Sequence, residues 1–455
     1  MAEFIGSVAL PFPAREVYRW HVRPGAFERL MPPWAAIETP AHMEGIREGS
    51  RVRFLLRKGL LRFHWEALHR EFIEDRQFVD EQVKGPFPRW VHTHRFTEAG
   101  AGECTVEDRI VYTLPLGALG RIAGGGMLDR DLARMFAFRH RRTADDLSRH
   151  ARWARLGPQR IAISGASGLV GRNLRAYLGG AGHDVLPLVR RGAGPGEIAW
   201  NPAAGTLDAA AMDGLDGVVH LAGESLSAGR WTSDMKARIL GSRVQGTRVL
   251  CEALAQLSRP PRVLVSASAT GWYGDGGAAA LDESSPAGKG FLPEVCQAWE
   301  DATEPARAAG IRVVNLRIGV VLAAKGGALA RMLTPFKLGL GGSLGSGRQM
   351  LSWVALDDLL GIIEAALWNK TLSGPVNATA PEPVSQEAFA RTLGRVLGRP
   401  AFAPLPGAVV RLAFGEMGEA LLLEGARVLP TRLLDAGFAY LTPGLEDALR
   451  SELGL

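Results

Sequence analysis

Between Arg160 and Gly171 the chain reads Arg-Ile-Ala-Ile-Ser and then Gly165-Ala166-Ser167-Gly168-Leu169-Val170-Gly171. A short apolar strand that passes through a glycine turn into a helix has few structural solutions. Glycine permits the tight turn, lets backbone approach a pyrophosphate and lets the helix pack closely on the strand, while the helix N-terminus favours the anion. Apolar strands recur at Val185–Val189, Val218–Leu221, Val263–Ser266 and Val313–Leu316, with helical stretches such as Ser233–Leu257 and Pro293–Ala309 between them. Strands alternating with helices predict βαβ units in a doubly wound parallel sheet, with a dinucleotide at the glycine turn.

At 455 residues the chain is long for one core and predicts two or three domains. Its 47% hydrophobic and 22% charged residues are those of an ordinary globular protein. No apolar run approaches the roughly 18 residues of a membrane span, and the N-terminus lacks the pattern of a signal peptide. Cys104, Cys251 and Cys296 are odd in number and far apart, so no disulfide framework is expected and a reducing cytoplasm fits. The net charge of +6 is concentrated before residue 156, which holds 25 Lys and Arg against 20 Asp and Glu. Its arginines, from Arg130 to Arg155, interleave with Leu132, Phe136, Phe138 and Leu147, the pattern of an amphipathic helix with a solvated basic face. Nucleic acid is not an expected partner.

Three segments follow. Residues 1–155 carry short alternating runs, Phe4–Leu10, Ser50–Leu56, Leu61–Leu68 and Val106–Leu114, an early helical piece at Ala14–Trp20, and a long helix at about 129–154. Gly157-Pro158 ends that helix, and the α/β segment spans 159–400. From 401 to 455 the strand signals stop, leaving helices at Ala408–Phe414, Glu416–Leu423, Thr431–Ala436 and Leu445–Leu453, with a turn at Val428–Pro430, as a small cap.

The end of the second strand selects between nicotinamide cofactors, because an acid there would bond the ribose hydroxyls and repel a 2′-phosphate. The chain reads Leu188-Val189-Arg190-Arg191. Guanidinium pairs phosphate with geometric fit as well as charge, so NADP(H) is the expected cofactor; the alternative is that both arginines begin a solvated loop.

With Val218-Val219-His220-Leu221-Ala222-Gly223 and Val265-Ser266-Ala267-Ser268-Ala269-Thr270 in register with the glycine turn, residues 160–400 resemble the extended short-chain dehydrogenases/reductases, a Rossmann fold. Gly223-Glu224, Ser242-Arg243, Trp299-Glu300, Leu316-Arg317-Ile318-Gly319, Ser352-Trp353 and Leu421–Gly425 narrow the resemblance to the "epimerase family" branch of the NAD-dependent epimerase/dehydratases, which has a helical C-terminal extension. The resemblance implies that Gly165, Ser167, Gly168, Leu169, Val170 and Gly171 hold the pyrophosphate and that Arg190 and Arg191 meet the 2′-phosphate. It places Leu221, Ala222 and Gly223 on the adenine and ribose side, and adds Arg243, Ser266 and Arg317 to the cofactor contacts. Arg243 is open to a purely structural role as well.

That family's chemistry uses a Tyr-x-x-x-Lys pair, in which lysine lowers the tyrosine pKa. Here none of the five tyrosines has a lysine four residues on, and alignment on Trp299-Glu300 puts Leu292 and Cys296 in the two places. Matching Ser-Ala-Thr makes Ser268 the hydroxyl donor, whereas anchoring on Tyr273-Gly274 puts Ala269 there. Tyr273 or Lys289 could replace the missing acid, or Ser268 and Tyr273 could only shape the nicotinamide pocket. Lys337–Gln349, with five glycines in thirteen residues, reads either as a substrate loop aided by Arg348 or as a simple connection.

Residues 1–155 resemble the helix-grip fold of START-like proteins and polyketide cyclases, the SRPBCC group, through Pro11–Tyr18, Arg23–Phe27, Pro32-Pro33-Trp34, Gly85-Pro86-Phe87 and Phe138-Arg139-His140. That resemblance implies an apolar cavity between sheet and helix for a hydrophobic ligand. His92-x-His94 puts two imidazoles on one strand face, but no Cys or carboxylate cluster is seen to complete a metal site, and none is assigned. Trp65 and Trp90 read as core or pocket lining.

Two functions remain. One is an NADP(H)-dependent oxidoreductase or epimerase acting on a carbonyl, alcohol or sugar-nucleotide-like molecule. The other is a non-catalytic NADP(H) sensor, favoured by the missing relay pair.

Overall fold

A computed structural model describes residues 1–38, 45–58, 61–115 and 117–455. By internal contacts the chain divides into two units: 1–158 with 175–183 and Gly454, and 159–174 with 184–453 and Leu455. Among the described residues no helix is long and apolar enough to cross a membrane, and Cys104, Cys251 and Cys296 are free and buried.

Among the described residues the first unit contains seven strands: β1 (Ala2–Leu10), β2 (Ile37–Glu38), β3 (Arg51–Lys58), β4 (Leu61–Ile73), β5 (Gln77–Lys84), β6 (Arg89–Gly100) and β7 (Glu103–Thr113). They form one antiparallel sheet in the order β1-β7-β6-β5-β4-β3-β2. β1 and β7 alternate inward and outward as their sequences require. β5 and β6 escaped the reading of apolar runs because charged residues such as Asp80, Lys84 and Arg89 interrupt their alternation. Helices Ala14–Val22 and Ala26–Leu30 follow β1, and a 35-residue helix, Gly117–Ala151, follows β7. Val17, Trp20, Phe78, Phe96, Cys104, Val106 and Leu147 form one core cluster, and Ile110, Tyr112, Leu132 and Phe136 a second.

The long helix begins twelve residues earlier than its sequence suggests and runs through Gly124-Gly125-Gly126. Helix propensity is a weak prior that packing overrides. Its basic face is not wholly solvated either. Arg139 donates through Nε to the Leu30 carbonyl at 3.2 Å and lies over Phe136, while Arg142 is buried with its guanidinium over Phe138. Arginine stems pack against apolar rings while the head keeps hydrogen bonds, so a basic stripe need not face water.

In the second unit β8 (Arg160–Ser164), β9 (Asp184–Val189), β10 (Ile198–Asn201), β11 (Thr206–Leu207), β12 (Gly217–His220) and β13 (Val263–Ala269) join strands Arg312–Ile318 and Gly374–Ala378. The order is β11-β10-β9-β8-β12-β13, then Arg312–Ile318, then Gly374–Ala378, parallel except for β11. Order reverses beside β8, between β9 and β12, and such a switch point opens a crevice at the carboxyl ends of the strands. The region expected as one helix over 293–309 is two, Phe291–Asp301 and Glu304–Ala308.

The C-terminal region is not free of strands. Ala426–Val428 pairs in parallel with Gly277–Leu281, where a turn was expected. Before it, Gly415 at φ 60° breaks the Gly407–Gly418 helix, and Glu419–Leu423 winds as a π-turn. Leu445, Leu449 and Leu453 share a core with Leu322, Phe336, Trp353 and Phe389.

Candidate active site

Ser164, the last residue of β8, joins two strand ends. Its Oγ accepts from the amides of Leu221 at 3.1 Å and Ala222 at 3.3 Å, and lies 2.6 Å from His220 Nδ1. Leu221 and Ala222 are thereby drawn against the glycine turn. Gly165 has φ 68°, and a Cβ there would sit 2.9 Å from the Leu221 carbonyl. A Cβ on Gly171 would sit 2.3 Å from the Gly165 oxygen. Glycine is required at both places for different reasons: conformation with close approach at Gly165, helix-on-strand packing at Gly171. Ser167 and Gly168 are exposed, and Leu169 and Val170 half-buried, at the start of the Leu169–Gly180 helix. This cradle of bare backbone at a helix N-terminus fits a pyrophosphate.

The parallel β8–β9 ladder runs as far as Ile163 and Pro187, so the glycine turn after Ser164 and the Arg190-Arg191 pair after Val189 both leave the carboxyl edge of the sheet from neighbouring strands. Arg190 and Arg191 are both exposed at this edge. Gly223 borders Arg243, which is buried, donates Nη1 to the carbonyls of Glu224 and Ile239 at 3.1 Å each, and lies over Trp299. Ser266 is buried opposite His220 in the ladder.

Arg317, Ser268 and Tyr273 belong to one buried network. Arg317 donates Nε and Nη2 to the two oxygens of Glu300 at 2.9 and 3.0 Å, and Nη1 to the Tyr273 hydroxyl at 3.1 Å. Ser268 donates to Glu300 Oε1 at 2.7 Å. The Tyr273 hydroxyl faces Asn377 Oδ1 at 2.7 Å and the Asp282 carbonyl at 2.9 Å. Burial raises the Tyr273 pKa although Arg317 opposes the shift. The guanidinium also lies 3.7 Å over the Trp272 ring. Glu300 and Asn377 complete this network, and sequence reasoning assigned neither a role because each is supplied by a different element.

The helix Phe291–Asp301 turns Leu292 and Cys296 toward Gly271, where an added Cβ would lie 3.3 Å from Leu292 Cβ and 3.6 Å from the Cys296 sulfur. Burial pushes the Cys296 thiol up to about 12, so it is inert as an acid or nucleophile near neutrality.

A cavity of about 260 Å³ adjoins this helix, lined among others by Thr270, Gly271, Lys289, Leu292, Met350, Glu416, Glu419 and Glu424. Neither Ser268 nor Tyr273 is among its lining residues; Thr270 supplies a hydroxyl instead. Glu416 pairs with Lys236 and Glu419 with Arg411. Burial, with Asp275, Glu419 and Glu416 nearby, raises the pKa of Glu424. A carboxyl group of raised pKa in a cleft is a proton-transfer candidate, and the sequence signal for it lay only in Leu421–Gly425.

The glycine-rich stretch 337–349 contributes nothing to the lining of this cavity. Its backbone is bonded to 403–405 by Ala403 N to Gly341 O, Leu405 N to Ser343 O and Gly345 N to Leu405 O. A Cβ at Gly342 would lie 2.1 Å from the Ala403 oxygen, so close backbone packing accounts for that glycine, and Arg348 is exposed.

The histidine pair departs from expectation in the other direction. Asp80 and Asp108, from the strands on either side of β6, bring carboxylates to His92 and His94. The cavity found beside them is small and lined by His21, His94, Asp108, Arg139 and His140 together with aliphatic side chains, unlike the apolar chamber expected between sheet and helix.

Residues 161–377 match the NAD dependent epimerase/dehydratase family, while 8–147 and 405–452 match two domains of unknown function, DUF8410 and DUF1731. Over 290 residues the chain is 43% identical to the epimerase family protein Mb2239 of Mycobacterium bovis, spanning 64% of this chain and 96% of that protein. The human epimerase family protein SDR39U1 is 39% identical over 296 residues, covering 64% of this chain and 98% of its own length. A crystal structure described as the nucleoside-diphosphate sugar epimerase from Corynebacterium glutamicum superposes with a TM-score of 0.81 at 32% identity, over 99% of this chain and 90% of that one. The crystal structure of human SDR39U1 with NADPH gives 0.60 at 37% identity, over 65% and 99%. The parallel sheet is a Rossmann-like, NAD(P)-binding fold of the short-chain dehydrogenase/reductase type, and the chain belongs to the NAD dependent epimerase/dehydratase family, in its epimerase family protein branch.

Proposed function

We propose that the second unit binds NADP(H) at Gly165–Gly171 and acts as an oxidoreductase on a carbonyl or secondary alcohol held in the 260 Å³ cavity. The observation that carries this reading is the bare-backbone cradle after β8 with two exposed arginines, Arg190 and Arg191, following the end of the neighbouring strand β9. NADPH in the human relative's crystal structure supports the same choice. When bound, the nicotinamide supplies or accepts the hydride.

The chain's own groups divide the remaining work. Thr270 offers its hydroxyl to the substrate oxygen, and Glu424 exchanges a proton with it, a role its raised pKa suits. Lys289 adds a cation to the lining. Ser268, spent on Glu300, positions the buried network behind the cavity.

The sensor reading is favoured by Leu292 and Cys296, which can relay no proton. Anaerobic mixing of the purified chain with NADPH and panels of aldehydes, ketones and UDP-hexoses, followed by NADPH absorbance, separates the two. Oxidation that Glu424→Gln suppresses while NADPH affinity holds supports the enzyme. Tight binding without turnover across the panels supports the sensor, and absence of NADPH binding by calorimetry rejects both.

For the first unit we retain a START-like ligand module. A long helix against an antiparallel sheet supports it, as do the clustered, half-buried rings of Phe54, Trp65, Phe87 and Trp90.

A further inference from the structure

Strand register in the first unit gathers histidines and aspartates from four strands onto one sheet face. His69 pairs with Asp80 and Asp80 with His92; two residues along β6, His94 pairs with Asp108. Because side chains alternate with a period of two, His92 and His94 point the same way. Asp80 Oδ2 lies 3.2 Å from His94 Nε2 and 3.8 Å from His92 Nδ1. One ligand atom from each of the three residues falls within 4.8 Å of the others. Donors at about 2.0–2.1 Å around a tetrahedral ion stand roughly 3.3 Å apart, so these separations need little adjustment.

The second ring nitrogen of His92 is hydrogen-bonded, and that of His94 lies close to the same carboxylate without a formed hydrogen bond. His92 Nε2 lies 2.9 Å, and His94 Nδ1 2.8 Å, from the same oxygen of Asp108, whose other oxygen meets His140 Nε2 at 2.7 Å. His69 Nε2 lies 3.1 Å from Asp80 Oδ1. Imidazoles that bind a metal almost always donate their other N–H to such a carboxylate, which fixes the tautomer and strengthens the ligand. Asp80 and Asp108 both bring carboxylate charge to bear on the Arg139 guanidinium. About 10 Å³ remains open beside His94 and Asp108, room for one water, and the Asp80 side chain is 26% exposed, which gives an entry path.

We propose that His92, His94 and Asp80 form a binding site for one divalent transition-metal ion, with Asp108 as its outer carboxylate. Two imidazoles and one carboxylate with positions left open suit zinc or ferrous iron rather than calcium or magnesium. The site stands apart from the proposed oxidoreductase chemistry and does not depend on it.

The test uses the full chain, stripped with chelator and titrated calorimetrically with Zn²⁺ alone. One ion per chain is expected, weakened more than about 100-fold by Asp80→Asn or His94→Gln and about 10–100-fold by Asp108→Asn. Far-UV and near-UV circular dichroism with a thermal melt report whether each variant is folded. Co²⁺ added to the unsubstituted chain supplies a reading free of folding effects, since nitrogen ligation gives visible d–d absorption. Failure of the unsubstituted chain to bind Zn²⁺ or to develop the Co²⁺ spectrum overturns the proposal, as does equal Zn²⁺ affinity in a folded Asp80→Asn chain.

Discussion

Ser164 Oγ lies 2.6 Å from His220 Nδ1, and this contact fixes the protonation state of the histidine behind the glycine turn. The serine oxygen already accepts from the Leu221 and Ala222 amides, so its own proton goes to Nδ1, and Nε2–H faces Thr247 Oγ1 at 3.0 Å. A proton on Nδ1 would set a third N–H donor against that oxygen. Burial accordingly pushes the His220 pKa down to about 4. The folded value is depressed below the unfolded one near 6.5, so the unfolded chain takes the proton first, and the stability held above pH 6.5 drains away as pH falls toward 4. The contribution is bounded at about 3 kcal/mol. Urea denaturation of the second unit between pH 4 and 8 should show this loss, with a shallower slope in His220→Gln. Identical slopes would remove the argument.

Gly171 tests the cradle from the packing side. An alanine Cβ would meet the Gly165 oxygen at 2.3 Å and Ala166 Cα at 2.8 Å, both backbone, so neither can swing aside. Gly171→Ala should cost about 1–3 kcal/mol and weaken NADPH at least tenfold. Gly241, in the Ser233–Ala255 helix, has open space at its Cβ position, and Gly241→Ala should stabilise by about 0.5–1 kcal/mol with NADPH affinity unchanged. Equal effects at the two glycines would count against the close-packing argument.

The sheet and the glycine turn were legible because their signals are local: apolar runs, and glycines that occupy fixed steps of one turn. What escaped was assembled across the sequence. Glu300, Arg317, Tyr273 and Asn377 meet only because a helix, two strands and a 3-10 turn converge, and no spacing encodes that. Asp80 and Asp108 reach His92 and His94 through strand register, which one uncertain residue of pairing would destroy. The strand at Ala426–Val428 is three residues long and exists because Gly277–Leu281 offers it an edge. The glycines of 337–349 were visible but ambiguous, since close backbone packing and anion binding call for the same residue.

In the proposed reading Arg190 carries the preference for NADP(H). Its exposed position at the end of β9 lets it approach a 2′-phosphate without a desolvation cost comparable to that of a buried ion. Hydrogen bonds to charged groups contribute about 1.5–3 kcal/mol, so Arg190→Ala should weaken NADPH about 10–100-fold and leave NADH within about twofold. Fluorescence titration at two salt concentrations checks this, because the lost interaction is screened. Parallel losses for both nucleotides would place the arginine's role elsewhere.

Glu300 and Arg317 are the most heavily committed pair in the second unit. The glutamate holds two of the three guanidinium nitrogens and the Ser268 hydroxyl, in a setting where the Arg317 side chain is 3% and the Glu300 side chain 10% exposed. Removing the carboxylate charge strands a guanidinium that burial would otherwise penalise, and such losses run to about 3–5 kcal/mol. Glu300→Gln should therefore lower the denaturation midpoint of the second unit sharply, whereas Ser268→Ala, which removes one donor, should cost about 1 kcal/mol. Replacing both ions, as in Glu300→Leu with Arg317→Met, should cost less than the two single changes together, because neither charge is left alone. NADPH affinity in the folded fraction should stay near that of the unsubstituted chain, since no distance in the network reaches the glycine turn. A Glu300→Gln chain destabilised by less than about 1 kcal/mol would show the ion pair to be dispensable, and an additive double variant would show that the two residues act separately.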